Sequence, residues 1–274
     1  MRGIDAVRSH NNKIKSVNCT VKLLTLARDL QRRKARSRQG RFVAEGVRTV
    51  ETLLDSPLVV TGVLVTTALR VDARGAALFD RITAREIPVQ DVSQAELESA
   101  SDTETPQGVL AIAEIPERSL TPPPEVARYL ILDALQDPGN VGTVIRTAAA
   151  LGVTATIALP GTVDLWNAKV VRSTMGATFS HPALAATWES VTAFLDAHAI
   201  SCWIADTDGM VIGDAFRRDL PRRLALVVGN EGAGISGPVA EHASQRVAIG
   251  MTPGVESLNV AVATGILLHA LRPA

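Results

Sequence analysis

The sequence predicts an α/β protein of two domains, a smaller α/β domain followed by a larger one built on a mainly parallel sheet. Three observations carry this. Short apolar runs alternate with amphipathic segments through both halves of the chain. Pro116 to Pro124, PERSLTPPP, separates the halves with a composition that favours an extended, semi-rigid spacer. Tyr129 to Leu159 reads as strand, helix and strand, the βαβ unit of parallel sheets. At 274 residues, 46% of them hydrophobic, the chain exceeds one average domain and has enough apolar material for a sizeable core. The expected divisions are a flexible basic N-terminus over 1–18, a first domain over 19–115, a linker over 116–126 and a second domain over 127–274.

Charge is balanced overall but unevenly placed. Met1 to Arg48 holds 13 Lys and Arg against 3 Asp and Glu, so the remainder is net −10. A basic arm on an acidic body points to a polyanion as the partner of the arm. Cys19 and Cys202 form neither a disulfide framework nor a metal site, and the five scattered histidines lack ligand spacing, so no metal is expected. No signal-peptide core and no apolar run of about 18 residues occurs, and a soluble cytoplasmic protein with no membrane association is expected.

Met1 to Asn18 is polar and aperiodic. Lys22 to Arg38 reads as one helix with Leu23, Leu24, Leu26, Ala27 and Leu30 on one side. Its end carries Arg32, Arg33, Lys34, Arg36 and Arg38. Two or three basic residues compensate a helix dipole; five in seven positions exceed that need and point to phosphate contact, without distinguishing RNA from DNA. Strands follow at Phe42 to Ala44, Leu58 to Val65, Ile87 to Val89 and Gly108 to Ala113, and helices at Val47 to Leu54, Ala73 to Arg81 and, behind a Ser cap, Ser93 to Ser99. Nothing here looks catalytic. With so few aromatics, this domain is expected to grip nucleic-acid shape and backbone rather than stack bases.

In the second domain Tyr129 to Leu135 is a buried strand feeding the loop Gln136 to Asn140, then a helix from Val141 to Leu151 and a strand from Val153 to Leu159. Val141, Val144, Ile145 and Ala148 form the core stripe of that helix, which leaves Thr143, Arg146 and Thr147 on the neighbouring face. A loop at the carboxyl end of a parallel strand is where open sheets keep their ligands. Helices are expected at Asn167 to Met175 and Val191 to His198, strands at Cys202 to Ala205 and Leu224 to Val228, and a turn at Asp208-Gly209. Ile249 to Ala270 reads as a strand end, a turn at Pro253-Gly254 and a helix capped by the Ser257 hydroxyl, with Gly265 marking another backbone close by.

The strand Leu224 to Val228 ends in GNEGAGIS, Gly229 to Ser236. The spacing is not the dinucleotide fingerprint, and no Lys-Ser or Lys-Thr pair makes a phosphate-binding loop. A glycine loop of this kind suits a ligand without phosphates. Three blocks, LDALQDPGNVGTVIRTAAALGV, LVVGNEGAGIS and IGMTPGVESLNVAVATG, together resemble the SpoU (TrmH-like) RNA ribose 2′-O-methyltransferases of the SPOUT superfamily. They match that family in order and spacing over most of residues 130–270, with Gly250 standing where the family usually has proline. The basic first domain resembles the substrate-binding domain that often precedes this catalytic domain, in a layout similar to large-subunit (23S) ribosomal RNA methyltransferases.

The resemblance implies a C-terminal trefoil knot, an exception to unthreaded topology. It also implies an obligate homodimer with its active site at the subunit interface. S-adenosyl-L-methionine would be held by Gly229, Asn230, Gly232, Ile249, Met251, Ser257, Leu258 and Asn259. Arg146 would act on the ribose hydroxyl, with Asn140, Glu231, Ser257 and Asn259 arranging the site. A guanidinium stays protonated at ordinary pH, so Arg146 is open to two roles, base or electrostatic stabiliser. Three rivals stand beside this reading: a non-catalytic ribosomal RNA assembly factor on the same scaffold, a transfer RNA 2′-O-methyltransferase, and a nucleotide-dependent oxidoreductase, which the missing fingerprint disfavours.

Overall fold

A computed structural model describes residues 23–213, 220–255 and 257–273. The expectations for Met1 to Asn18, Cys19 and Lys22 therefore lie outside the described residues. The chain divides into two units: one runs through Pro116 and includes Trp166–Ala168, and the other comprises Glu117–Leu165 and Lys169–Ala274.

The first unit is a four-stranded sheet of β1 (Arg41–Glu45), β2 (Val60–Val65), β3 (Val89–Asp91) and β4 (Val109–Glu114), in the order β1-β4-β2-β3. The central strand β4 is antiparallel to both neighbours, while β2 and β3 run parallel. Its first five residues are all buried, which is why it reads as a continuous apolar run rather than an alternation. Among the described residues, the α-helices beside the sheet are α1 (23–30), α2 (Arg33–Gln39), α3 (Val47–Leu54), α4 (Ala73–Ala84) and α5 (Gln94–Glu98). The cap expected at Ser93 forms, with Ser93 Oγ accepting from the Glu96 amide and Glu96 Oε2 accepting from the Ser93 amide.

One expectation fails here: the helix read from Lys22 to Arg38 is two helices. Arg32 takes an extended conformation (φ −92°, ψ 129°) and breaks it. The break persists because Arg36, 3% exposed, turns its guanidinium inward and Nη1 donates to the carbonyls of Leu30 and Gln31 at 2.7 and 2.8 Å. These carbonyls at the end of α1 would otherwise lack partners. The apolar side holds as read: Leu23, Leu24, Ala27 and Leu30 are buried in the core with Leu64, Leu97 and Leu110, and Leu26 packs against it.

The second unit has a six-stranded, wholly parallel sheet in the order β10-β8-β9-β5-β6-β7. Its strands are β5 (Ala127–Asp133), β6 (Ala155–Ala158), β7 (Ala183–Ala185), β8 (Ser201–Val211), β9 (Arg223–Gly229) and β10 (Gln245–Ala248). The helices are α6 (Pro138–Ala150), α7 (Ala168–Ser173), α8 (Trp188–Ala197), α9 (Gly237–His242) and α10 (Val260–Ala270). Tyr129, Ile131, Ala225 and Val227 from the two central strands share one core with Val191, Phe194 and Leu195 of α8.

Within the proline-rich segment, Arg118 donates to the carbonyls of Thr178, His181 and Ala183, and Leu120 packs on the core of the second unit. One further reading is corrected. The expected turn at Asp208-Gly209 lies inside β8, which runs on to Val211 because β10 supplies it with a partner.

His181 is 6% exposed and hydrogen-bonded through Nε2 to Thr156 Oγ1 at 2.9 Å. Burial, and secondarily the Arg118 charge, push its pKa down to about 4. The unfolded chain takes up this proton near pH 6.5 and the folded one near 4, so stability is intact above 6.5 and falls as pH drops through that window. The loss below pH 4 amounts to about 3 kcal/mol. Thermal melts from pH 7 to 4 should show this decline, and His181→Gln should flatten it; an unchanged slope in that variant would count against the assignment.

Candidate active site

The carboxyl ends of the parallel strands build one site in the second unit. At the end of β5, Asp137 caps α6 by accepting the Asn140 amide at 2.7 Å, and Pro138 occupies its opening turn. The helix therefore starts three residues before the expected Val141, and Asn140 sits in its first turn instead of a loop. Val141, Val144, Ile145 and Ala148 are buried as the periodicity requires. The Arg146 side chain is exposed on α6.

At the end of β9 the glycine loop closes on itself. The amides and carbonyls of Asn230 and Gly234 pair at 3.0 and 2.9 Å. Asn230 Oδ1 accepts from the amides of Gly232 and Ala233, while its Nδ2 donates to the Ala134 carbonyl at 3.0 Å. Gly229 has no room for a side chain: an added Cβ would lie 2.4 Å from the Gly234 carbonyl oxygen. The Asp133 carboxylate accepts the Ser236 amide at 2.7 Å and anchors the far side of the loop.

After β10 the chain reaches α10, whose cap differs from expectation. Asn259, not Ser257, caps the helix, its Oδ1 accepting from the amides of Ala261 and Val262. With Oδ1 committed to two donors, the free end of that carboxamide is Nδ2, which donates to Asn140 Oδ1 at 3.0 Å. Asn140 Nδ2 then donates to Glu231 Oε1 at 2.7 Å. An acceptor-only carboxylate at one end and two amide donors at the other fix the direction of both carboxamides. Three residues from the three distant sequence blocks thus form one hydrogen-bonded relay. The backbone expected close to Gly265 is not there: an added Cβ would meet only the Thr147 side chain of α6, at 3.5 Å, an ordinary van der Waals contact.

Beside the relay lies a cavity of about 400 Å³. Of the residues singled out from sequence, Gly229, Asn230, Glu231, Ile249, Met251, Ser257, Leu258 and Asn259 line it. Gly232 does not, its amide being spent on Asn230; Asn140 joins through the relay; Arg146 is not in the lining. Sequence reasoning missed Ala205, Asp206 and Thr207 of β8, which also line it, and the anchors Asp133 and Asp137. The acid and glycine run Asp206 to Gly209 carries a turn signal, and only the break in pairing between β8 and β10 places Asp206 and Thr207 in the cavity wall. Among the described residues the lining holds two carboxylates, Asp206 and Glu231, and no Lys or Arg. It therefore suits a ligand of pocket size that carries positive charge and no phosphate.

In the first unit, Arg32, Arg33, Lys34 and Arg38 are exposed, and Arg32 pairs with Asp29. Arg36 is withdrawn from the expected phosphate-binding set, because its guanidinium is buried against α1.

Residues 127–269 match the family described as SpoU rRNA Methylase, and residues 18–111 match the MRM3-like substrate binding domain. The chain is 34% identical over 250 residues to the Bacillus subtilis (strain 168) 23S rRNA (guanosine(2553)-2′-O)-methyltransferase RlmP, covering 89% of this chain and 93% of that one. It is 30% identical to the Streptomyces viridochromogenes 23S rRNA (uridine(2479)-2′-O)-methyltransferase, covering 89% and 86%. Among solved structures it is similar to the AdoMet-bound rRNA methyltransferase from Sinorhizobium meliloti (TM-score 0.77, 28% identity, 91% of this chain and 94% of that one). The SpoU methyltransferase AviRb from Streptomyces viridochromogenes in complex with AdoMet gives a TM-score of 0.79 at 27% identity, covering 90% and 96%.

Proposed function

The chain belongs to the SpoU rRNA methylase family, and from that premise we propose how its own residues carry out the family's reaction. It is an S-adenosylmethionine-dependent RNA methyltransferase acting on a ribose 2′-hydroxyl of 23S ribosomal RNA. The observation that carries the site assignment is the relay from Glu231 through Asn140 to Asn259 beside the cavity.

The cavity fits the cofactor: its size is that of a small-molecule pocket, and its described lining carries Asp206 and Glu231 with no Lys or Arg to hold a phosphate. When bound there, S-adenosylmethionine supplies an electrophilic methyl on a sulfonium. Gly229, Asn230 and Gly234 of the glycine loop, with Ile249, Met251, Ser257 and Leu258, would hold it. Asn140, Glu231, Ser257 and Asn259 arrange the acceptor side, the relay keeping each carboxamide in one orientation. Much of the rate comes from holding the hydroxyl in line with the methyl. The Arg146 guanidinium, protonated at ordinary pH, stabilises the negative charge that develops on the 2′-oxygen as the hydroxyl passes its proton to solvent water.

Arg146 reaches the reaction in a homodimer, where the Arg146 of the partner subunit completes the site. Two features support this. Arg146 does not line the cavity of its own chain. Val262 and Ile266 of α10, 54% and 44% exposed, flank the Gly265 that packs on Thr147, next to Arg146, and offer an apolar face for a second copy. We also read the segment after β10 as threaded into a trefoil knot. That reading is supported by the place of β10 beside β8 and by the return of α10 onto α6 and β9.

The deciding experiment supplies labelled S-adenosylmethionine and ribosomal RNA, then digests the RNA to nucleosides. Label in a 2′-O-methylnucleoside supports the function; label on a base, or none, overturns it. Exposed Arg33, Lys34 and Arg38 bind RNA phosphate. Changing all three to alanine should weaken RNA binding and reduce the slope of log Kd against log salt by about 2, and a salt-insensitive wild type would remove them from the interface.

A further inference from the structure

The inference rests on the assignment of the cavity to S-adenosylmethionine and concerns the wall that the three sequence blocks do not supply. Ala205, Asp206 and Thr207 come from an irregularity in β8. Adjacent residues Arg246 and Val247 of β10 pair with Ile204 and Met210, six positions apart, so the residues between them leave the ladder as one wide bulge. A bulge of this length lacks ladder hydrogen bonds, so its shape depends on other ties.

Asp206 provides them. Its Oδ2 accepts from Arg246 Nη1, and its Oδ1 accepts from the Asp208 amide at 3.1 Å. Arg246 is the residue of β10 at which the register breaks, so the pair bolts the bulge to the strand where pairing stops. At the far end, Gly209 lies flat on β10: an added Cβ would sit 2.6 Å from the Val247 amide nitrogen and 2.7 Å from the Arg246 carbonyl carbon. The side chains of Asp206 and Arg246 are 23% and 53% exposed, too open for the ion pair to weigh much in the stability of the fold. Its effect is on position.

We propose that Asp206 is a positioning residue for cofactor binding: paired with Arg246, it holds the β8 bulge so that Ala205 to Thr207 form the cofactor-facing wall of the cavity. The wall has to be in place before the cofactor arrives, since an unformed loop would be ordered at the expense of binding. Arg246 acts through Asp206 and does not line the cavity.

The test is calorimetric titration of S-adenosylmethionine into full-length wild type, Asp206→Ala, Asp206→Asn, Arg246→Ala and the Asp206→Ala/Arg246→Ala double variant, with KM and kcat for methyl transfer alongside. Asp206→Ala should weaken cofactor binding about tenfold and raise the cofactor KM to match, with kcat at saturating cofactor within about twofold of wild type. Asp206→Asn keeps an oxygen for the Asp208 amide and loses the charge, so it should fall between. The double variant should be no worse than Asp206→Ala, because the two side chains act as one device. Should Asp206→Ala fail to fold, Asp206→Asn and Arg246→Ala carry the same comparison. Wild-type affinity in these variants, additive losses in the double variant, or a fall in kcat at unchanged KM overturns the proposal alone. A wild type that does not bind S-adenosylmethionine overturns the functional reading beneath it.

Discussion

Arg146→Ala should lower the rate of methyl transfer by about 10² to 10³ while leaving the affinity for S-adenosylmethionine within about twofold of wild type. The magnitude is that of removing one preorganised charge from a developing oxyanion. The separation of the two effects follows from the geometry, since Arg146 stands on the exposed face of α6 and takes no part in the cavity wall. Arg146→Lys should recover little, because an ammonium lacks the planar fork of a guanidinium. Single-turnover transfer with calorimetry reads both quantities, and near-normal turnover in Arg146→Ala would falsify the role.

Asn259→Ala should damage cofactor binding, rate and stability together. The substitution removes the cap of α10, about 1 kcal/mol, and should lower the melting temperature by about 2 to 4 °C. It also cuts the relay at Asn140 in a residue that lines the cavity, so the cofactor Kd should rise at least about tenfold and the rate should fall further. Asn259→Asp separates the two functions. A carboxylate still accepts the amides of Ala261 and Val262, so the melting temperature should return. It has no donor for Asn140 Oδ1, so the rate should stay low. If Asn140 turned its own amide toward the new carboxylate, it would lose Glu231 instead. Recovery of both stability and rate in Asn259→Asp would show that the relay is dispensable.

Much of the second unit was legible in the chain because its signals are local. The stripe on α6, the buried runs of β5 and β9 and the glycine loop after β9 each follow from spacing within a dozen residues. Eight residues read as cofactor or catalytic candidates do line one cavity. Errors cluster where two local signals compete. Ser257 and Asn259 are both good caps; Asn259 prevails and is held by Asn140, 119 positions away. The Asp208-Gly209 pair is a sound turn signal, overridden because β10 lies alongside to pair with Met210 and Val211. The helix from Lys22 looked continuous because Arg36 favours helix and water alike, and nothing nearby in sequence shows that it would bury its guanidinium.

From the order of its residues alone, this protein's two-part α/β plan, most of its strands and helices, and the loops that line its cavity were read, since backbone preference and hydrophobic period act over a few neighbours. The tertiary structure alone decided the direction of the carboxamide relay, the withdrawal of Arg36 from the charged surface, and the recruitment of the β8 bulge into the cavity. Each of these depends on hydrogen bonds whose partners meet only once the sheet or helix packing that holds them has formed, and such a meeting leaves no local period to read.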